Sequence, residues 1–227
     1  MHFRVEQAPM AMAFQTDTEK WKGHAASPKK RSFSDRAELA SLFIRPGDVV
    51  CDLGAGAQTL KAALPAGATY VPVDCVATLP GTHVADFNKP DFTLPGQPFN
   101  VIVGLGLLNY IVDLEGFFAR LATECEGKFF IFTYDFWKLD ERYKKHGVAN
   151  GIPELEEGVA LFSKYVRGLT AVAVTRRRVM FTGALGRSEP APLSRRSATE
   201  ILLKYLRPAE YLFIKGLGRK MAPRWAA

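Results

Sequence analysis

Cysteine is scarce in this chain: Cys51, Cys75 and Cys125 are the three among 227 residues. An odd number at wide spacing suits neither a disulfide framework nor a C-x-x-C zinc pair, so they are expected as small apolar core residues in a reducing compartment. Long apolar runs are also missing. Stretches such as Phe129 to Phe132 and Val101 to Val103 fall far short of the ~20 residues that a helix needs to cross a bilayer. The stretch Met1-His2-Phe3-Arg4, followed by Glu6, Gln7 and Pro9, lacks the basic start and continuous apolar segment of a secretory signal, so cytoplasmic residence is the expectation. No H-x-x-x-H or H-E-x-x-H spacing occurs, and no metal site is expected. The runs G-x-x-x-x-G-K-[ST] and G-x-S-x-G are absent too, which argues against a P-loop nucleotidase and a serine hydrolase.

What the chain does have is apolar content, 48% of residues, enough to build one domain with a substantial core. Its net charge of +7 is unevenly placed, because 18 basic residues face 8 acidic ones from Lys138 onward. Arg176-Arg177-Arg178, Arg195-Arg196 and Lys215 to Met221 are the basic clusters. A solvated positive face explains them as well as a partner does. The tail interleaves Tyr211, Leu212, Phe213, Ile214 and Trp225 with cations, a pattern suited to peripheral contact with an anionic membrane.

Residues 1–33 are polar and weakly periodic, a leader or lid segment. From Ser34, a capped helix is expected over Asp35 to Phe43, closed by the turn Arg45-Pro46-Gly47-Asp48. Strands are expected at Val49 to Leu53, Thr69 to Asp74, His83 to Asp86, Phe99 to Gly104 and Lys128 to Thr133, with helices at Gln58 to Leu64 and Leu114 to Glu124. Pro72 argues for an edge or irregular position in the second strand. Strands alternating with helices imply an α/β, Rossmann-like, doubly wound and mostly parallel sheet. A long loop should follow Asp135, then a helix over Glu154 to Arg167. Thr170 to Thr175 and Val179 to Leu185 should pair as an antiparallel terminal hairpin. The domain is thus drawn at residues 34–190, and residues 191–227 form a C-terminal helix, from Ser194 to Leu206, and a basic apolar tail.

The chemistry concentrates between Asp52 and Asp86. A glycine turn, Gly54-Ala55-Gly56, follows the first strand, and carboxylates end three successive strands at Asp52, Asp74 and Asp86. In an open parallel sheet these positions converge beyond the carboxyl edge, at the point where strand order reverses. Gly54 and Gly56 let the backbone turn sharply and approach a ligand with no Cβ in the way. Asp74 can accept two hydrogen bonds from a ribose diol, and Asp52 either contacts the ligand or holds the turn.

These residues resemble the class I S-adenosylmethionine-dependent methyltransferases. Asp52-Leu53-Gly54-Ala55-Gly56 is similar to that family's first motif, Asp74 to its acidic ribose-binding residue, with Cys75 beside it, and Asp86-Phe87 to its adenine-contacting pair. Gly104-Leu105 opens the segment through Asn109 and Tyr110 that lies where the family carries its motif after the fourth strand. The resemblance covers residues 34–185 and implies S-adenosylmethionine as cofactor and methyl transfer as activity. Phe87 is equally readable as core. Gln58 stands where the family usually has a third glycine, and Thr59 occupies the third-glycine position of a dinucleotide fingerprint, which disfavours a nicotinamide enzyme.

Leu107-Leu108-Asn109-Tyr110 replaces the [DN]-P-P-[YF] of enzymes that methylate nucleobase amines. The departure points to an oxygen of a small molecule, saccharide or lipid-linked precursor and away from nucleic acid. A hydroxyl acceptor would benefit from a general base at the carboxyl edge, where Asp135 is the first candidate beside Tyr134, Asn109 and Tyr110. Two rival readings are a non-catalytic module that binds the cofactor or a nucleoside, and an RNA methyltransferase without a recognisable RNA module.

Overall fold

The computed structural model describes residues 16–26, 31–136, 148–152, 154–174 and 178–187. The expected final helix at 194–206, the basic tail and most of the loop after Asp135 lie outside them, as do residues 1–15 of the leader.

Seven strands form one sheet: β1 (Val49–Leu53), β2 (Thr69–Asp74), β3 (His83–Val84), β4 (Val101–Leu105), β5 (Phe129–Asp135), β6 (Val166–Ala173) and β7 (Arg178–Leu185). Their order is β3-β2-β1-β4-β5-β7-β6. The first five run parallel and the last two pair antiparallel, β7 lying against β5 and β6 against β7. Strand order switches from one side of β1 to the other between β3 and β4, which places the switch-point crevice between β1 and β4.

Parallel strands covered on both faces are apolar at almost every position, and period 2 sorts their side chains between two cores. Cys51, Leu53, Ile102, Phe130 and Phe132 pack on one face with Phe117, Phe118 and Leu121 of α3 (Leu114–Glu124) and Val159 and Phe162 of α4 (Leu155–Ser163). Val50, Val101, Val103, Ile131 and Met180 face the other way, onto Ala37 and Ala40 of α2 (Arg31–Ser41) and onto Leu60. Phenylalanine dominates the first core: Phe130 and Phe132 stack at 4.4 Å between centroids, and Phe118 meets Phe162 at 5.0 Å. α3 starts where Asp113 accepts a hydrogen bond from the Gly116 N–H at 2.8 Å, a side-chain N-cap. A further helix of polar sequence, α1 (Thr18–Ala26), precedes α2 in the chain.

Several boundaries differ from expectation for local reasons. α2 begins at Arg31, so Ser34 lies inside it and is not its cap. The stretch after the glycine turn is a short 3-10 helix at Thr59–Ala63 rather than an α-helix, since Gln58 enters in the left-handed region and Pro65 follows closely. β5 continues two residues beyond Thr133 because Tyr134 and Asp135 pair with Val179 and Arg178. α4 stops at Ser163, and Val166 with Arg167 joins β6 opposite Leu185 and Ala184; here the pull of the ladder overrides helical periodicity. β2 is flanked on both sides, yet β3 pairs only with Val73 and Asp74, so Pro72 faces no partner strand on that side and its missing N–H removes no ladder bond.

Gly104 sits opposite Phe132 in the ladder, and a Cβ there would lie 2.3 Å from Cε1 of that ring. Glycine is therefore required by core packing. Gly104→Ala should lower the unfolding free energy by about 1–3 kcal/mol through overpacking, seen as a lower urea midpoint at unchanged slope. An unchanged midpoint would show that the ring has room to move aside.

Candidate functional site

The turn after β1 is built from backbone hydrogen bonds and positive φ angles. The N–H groups of Gly54 and Ala55 both donate to the Val73 carbonyl, at 2.8 and 3.0 Å, which ties the turn to β2. Gly54 has φ 74° and Gly56 φ 49°. A Cβ on Gly54 would also press on Leu107 Cδ1 at 3.2 Å, whereas at Gly56 the nearest atom would be the Gly54 carbonyl oxygen at 4.0 Å. Space beside Gly56 is open, so conformation alone selects glycine there. Gln58, in the third-glycine position, adopts φ 53° without being glycine, and its Nε2 donates to Thr82 Oγ1 at 3.2 Å.

Asp74 joins the two strands' ends. Its Oδ2 accepts the Gly56 N–H at 2.8 Å, and its Oδ1 accepts the Val76 N–H at 3.3 Å and the Cys75 thiol at 3.4 Å. A carboxylate offers about four acceptor positions and three are taken here, so one, on Oδ2, remains for a ligand hydroxyl. The Cys75 thiol is pushed up to about 12, by burial first and by Asp74 second, which keeps it protonated. Asp52 is buried and accepts the Tyr70 hydroxyl at 2.7 Å. Burial raises its pKa to about 7; the Tyr70 hydrogen bond opposes that rise and the Asp74 charge adds to it. Asp52 thus holds the base of the crevice from within the sheet.

Asp86 is half-buried just past β3, where its Oδ1 accepts the Asn88 N–H at 3.1 Å and the Thr16 hydroxyl at 2.9 Å. The segment ahead of α1 therefore reaches the carboxyl edge of the sheet beside β3. Phe87 points away from it: its ring packs on Phe92 at 5.2 Å and Phe117 at 5.7 Å in the core. Gly104 serves the core as well, and Leu105 is half-buried against the second core. Among the residues proposed for cofactor contact, the structure brings Gly54, Ala55, Gly56, Asp74, Cys75 and Asp86 together at one edge. It gives Phe87 and Gly104 packing roles.

Beyond β4 and β5 the expected Asp135 is joined by arginines that sequence reasoning did not place there. Arg178 Nη2 donates to Asp135 Oδ2 at 2.7 Å while Nε donates to Oδ1, a forked pair. Both oxygens of the proposed base are engaged by this one guanidinium. Arg36 of α2 is 3% exposed and lies against Gly106, where a Cβ would come within 2.2 Å of its Nη1. Nothing in the spacing of α2 marks Arg36 as a site residue, and Arg178 is masked in sequence by its basic neighbours. Trp21 of α1 meets the Tyr110 ring edge-on at 4.7 Å. Asn109 is a brace: its side chain exchanges two hydrogen bonds with the Asp135 backbone at 3.0 and 3.1 Å. Tyr134 is fully buried, its hydroxyl donating to Asn150 and accepting the Ile152 N–H at 2.8 Å. Among the described residues no group of His, Cys, Asp and Glu could hold a metal ion.

No protein-family model matches the chain, and no curated protein matches it in sequence. Solved structures do. An S-adenosylmethionine-dependent methyltransferase from Aquifex aeolicus shares 14% identity over 75% of this chain and 100% of its own, with a TM-score of 0.52. Human N-acetylserotonin methyltransferase in complex with S-adenosylmethionine shares 15% over 75% of this chain and 57% of its own, TM-score 0.54. The N-methyltransferase NodS from Bradyrhizobium japonicum, bound to S-adenosylhomocysteine, shares 13% over 74% and 97%, TM-score 0.50. The chain has the class I methyltransferase fold, a Rossmann-like sheet closed by an antiparallel hairpin.

Two measurements probe this geometry. Asp52 has a folded pKa raised above its unfolded value, so the folded state holds the proton more tightly. Its contribution to stability is complete below pH ~4 and is lost as pH rises toward about 7. Asp52→Asn should remove that slope and leave the variant more stable than the parent at pH 8, by denaturant unfolding at several pH values; parallel pH profiles would refute the burial argument. Asp135→Asn should cost about 2 kcal/mol of unfolding free energy, below the ~3–5 of a fully buried pair because the Arg178 side chain is 20% exposed. Unchanged stability would show that Arg178 is not anchored by this carboxylate.

Proposed function

We propose that this chain binds S-adenosylmethionine at the β1–β4 switch point and transfers its methyl group to an oxygen of a small molecule, saccharide or lipid-linked precursor. One observation carries the reading: Asp74, at the end of β2, is hydrogen-bonded to the Gly56 N–H in a positive-φ turn with open space beside it. The residues present suit the cofactor, since the turn admits close backbone approach and Asp74 retains acceptor capacity for a ribose hydroxyl.

When bound, S-adenosylmethionine supplies a sulfonium methyl already activated for displacement. The chain's own work is then to orient the acceptor in line and to exclude water. Asp74 would hold the ribose, Gly54 and Gly56 would let the backbone approach, and Asp86 anchors the edge together with Thr16. Trp21 on Tyr110 closes the acceptor side. Asp135 stays at that edge as the anchor of Arg178, and no proton is routed through it in this reading.

Calorimetric titration of the purified chain should show selective binding of S-adenosylmethionine and S-adenosylhomocysteine over NAD and ATP. Asp74→Ala should weaken it about tenfold or more, a charge-assisted hydrogen bond being lost. Equal binding of NAD, or no effect of Asp74→Ala, would overturn the reading.

A further inference from the structure

Gln58 holds a backbone conformation that glycine would adopt more readily. Its φ of 53° lies in the left-handed region, and among the described residues no other side chain is placed there. Strain of this kind persists only where the surroundings hold it, and it gathers at ligand sites. What holds Gln58 is a hydrogen bond from its Nε2 to Thr82 Oγ1 at 3.2 Å. Thr82 also decides which way the amide faces. Its hydroxyl proton is committed to the Leu79 carbonyl at 2.8 Å, so toward Gln58 the Thr82 oxygen can only accept. Nitrogen therefore faces Thr82, and Gln58 Oε1 faces away from it, accepting no hydrogen bond among the described residues.

That oxygen lies beside the end of β2. Gln58 follows Gly56 by two residues, and the Gly56 N–H is bonded to Asp74 Oδ2 at 2.8 Å. Thr82 directly precedes β3, where His83 pairs with Val73 and Val84 with Asp74. A side chain that runs from the turn to Thr82 thus passes next to Asp74, and it is half-buried there. Asp74 itself has one acceptor position left after Gly56, Cys75 and Val76. A ribose diol brings two hydroxyl protons, so one of them needs another acceptor.

We propose that Gln58 Oε1 accepts the second ribose hydroxyl of the bound cofactor, so that Asp74 and Gln58 share the diol. The proposal rests on the cofactor reading above and deepens it. It explains why a side chain stands at the third-glycine position: Asp74 is largely committed to holding the turn, and the missing acceptor comes from the amide. The amide is also neutral. A further carboxylate at this point would add charge to an edge already lined by Asp52, Asp74 and Asp86. The pair selects a ribose that carries both hydroxyls.

Calorimetric titration of the full chain with S-adenosylhomocysteine and with its 2′-deoxy and 3′-deoxy analogues tests the proposal. The parent should bind each analogue about three- to tenfold more weakly than S-adenosylhomocysteine, because each hydroxyl has its own partner. Gln58→Gly suits the positive φ and keeps the turn. It should bind S-adenosylhomocysteine about three- to tenfold more weakly than the parent does, and should no longer distinguish it from one of the two analogues. A merely structural role would weaken all three ligands alike. Indifference of the parent to the loss of either hydroxyl, or both discriminations intact in Gln58→Gly, would overturn the proposal and leave the cofactor reading standing. No binding of S-adenosylhomocysteine by the parent would reject the cofactor reading and this inference with it.

Discussion

The hydrogen bond from the Gly56 N–H to Asp74 organises the site, because it connects the turn after β1 to the carboxylate that ends β2. The bond forms only if the chain can reverse within three residues of Leu53, which the positive φ of Gly54 and Gly56 allows. Register does the rest: β1 and β2 pair from Val49 opposite Thr69 to Leu53 opposite Val73, so both strands end at the same height. Asp52 and Tyr70 lock the layer beneath from the second core, and Asp86 extends the same edge beyond β3. Each carboxylate has its own hydrogen-bond donors, which is how three of them share one crevice.

The other half of the crevice is shaped by packing. Gly104 is small because Phe132 lies across it, and the aromatic core of Phe117, Phe118, Phe130 and Phe162 holds α3 and α4 against the sheet. With β5 extended to Asp135 and braced by Asn109, the Arg178 fork reaches across from β7 to the parallel part of the sheet. The antiparallel hairpin is therefore more than a closing device for the fold. It delivers a cation to the edge at which β4 and β5 end, where Arg36 arrives from α2.

Much of this architecture was legible in the chain. β1, β2 and α3 fall on the expected residues, and the hairpin of β6 and β7 was visible in its β-branched runs, because these elements combine strong local preference with compatible packing. Boundaries were lost where tertiary pairing outweighed local pattern: Val166 left the helix for the ladder with Leu185, and the helix expected after Gln58 shrank to a 3-10 turn. The carboxylate-lined edge was readable because strand-end carboxylates and glycine turns have fixed spacing. Phe87 and Gly104 were not separable from core residues on spacing alone, and the structure gives both to the core. Asp135 and Tyr110 were placed at the carboxyl edge by their strand ends, but Arg36 against Gly106 and Arg178 on Asp135 were not legible, since these pairs come from distant parts of the chain and meet only through the fold.

A crystal structure of the full chain grown with S-adenosylhomocysteine tests the central claim most directly. The account predicts a ribose hydroxyl within hydrogen-bonding distance of the Asp74 carboxylate, with the amino-acid portion over the turn from Gly54 to Gly56. Ligand density at another part of the chain, or an unchanged Asp74 facing no ligand at saturating concentration, would contradict it.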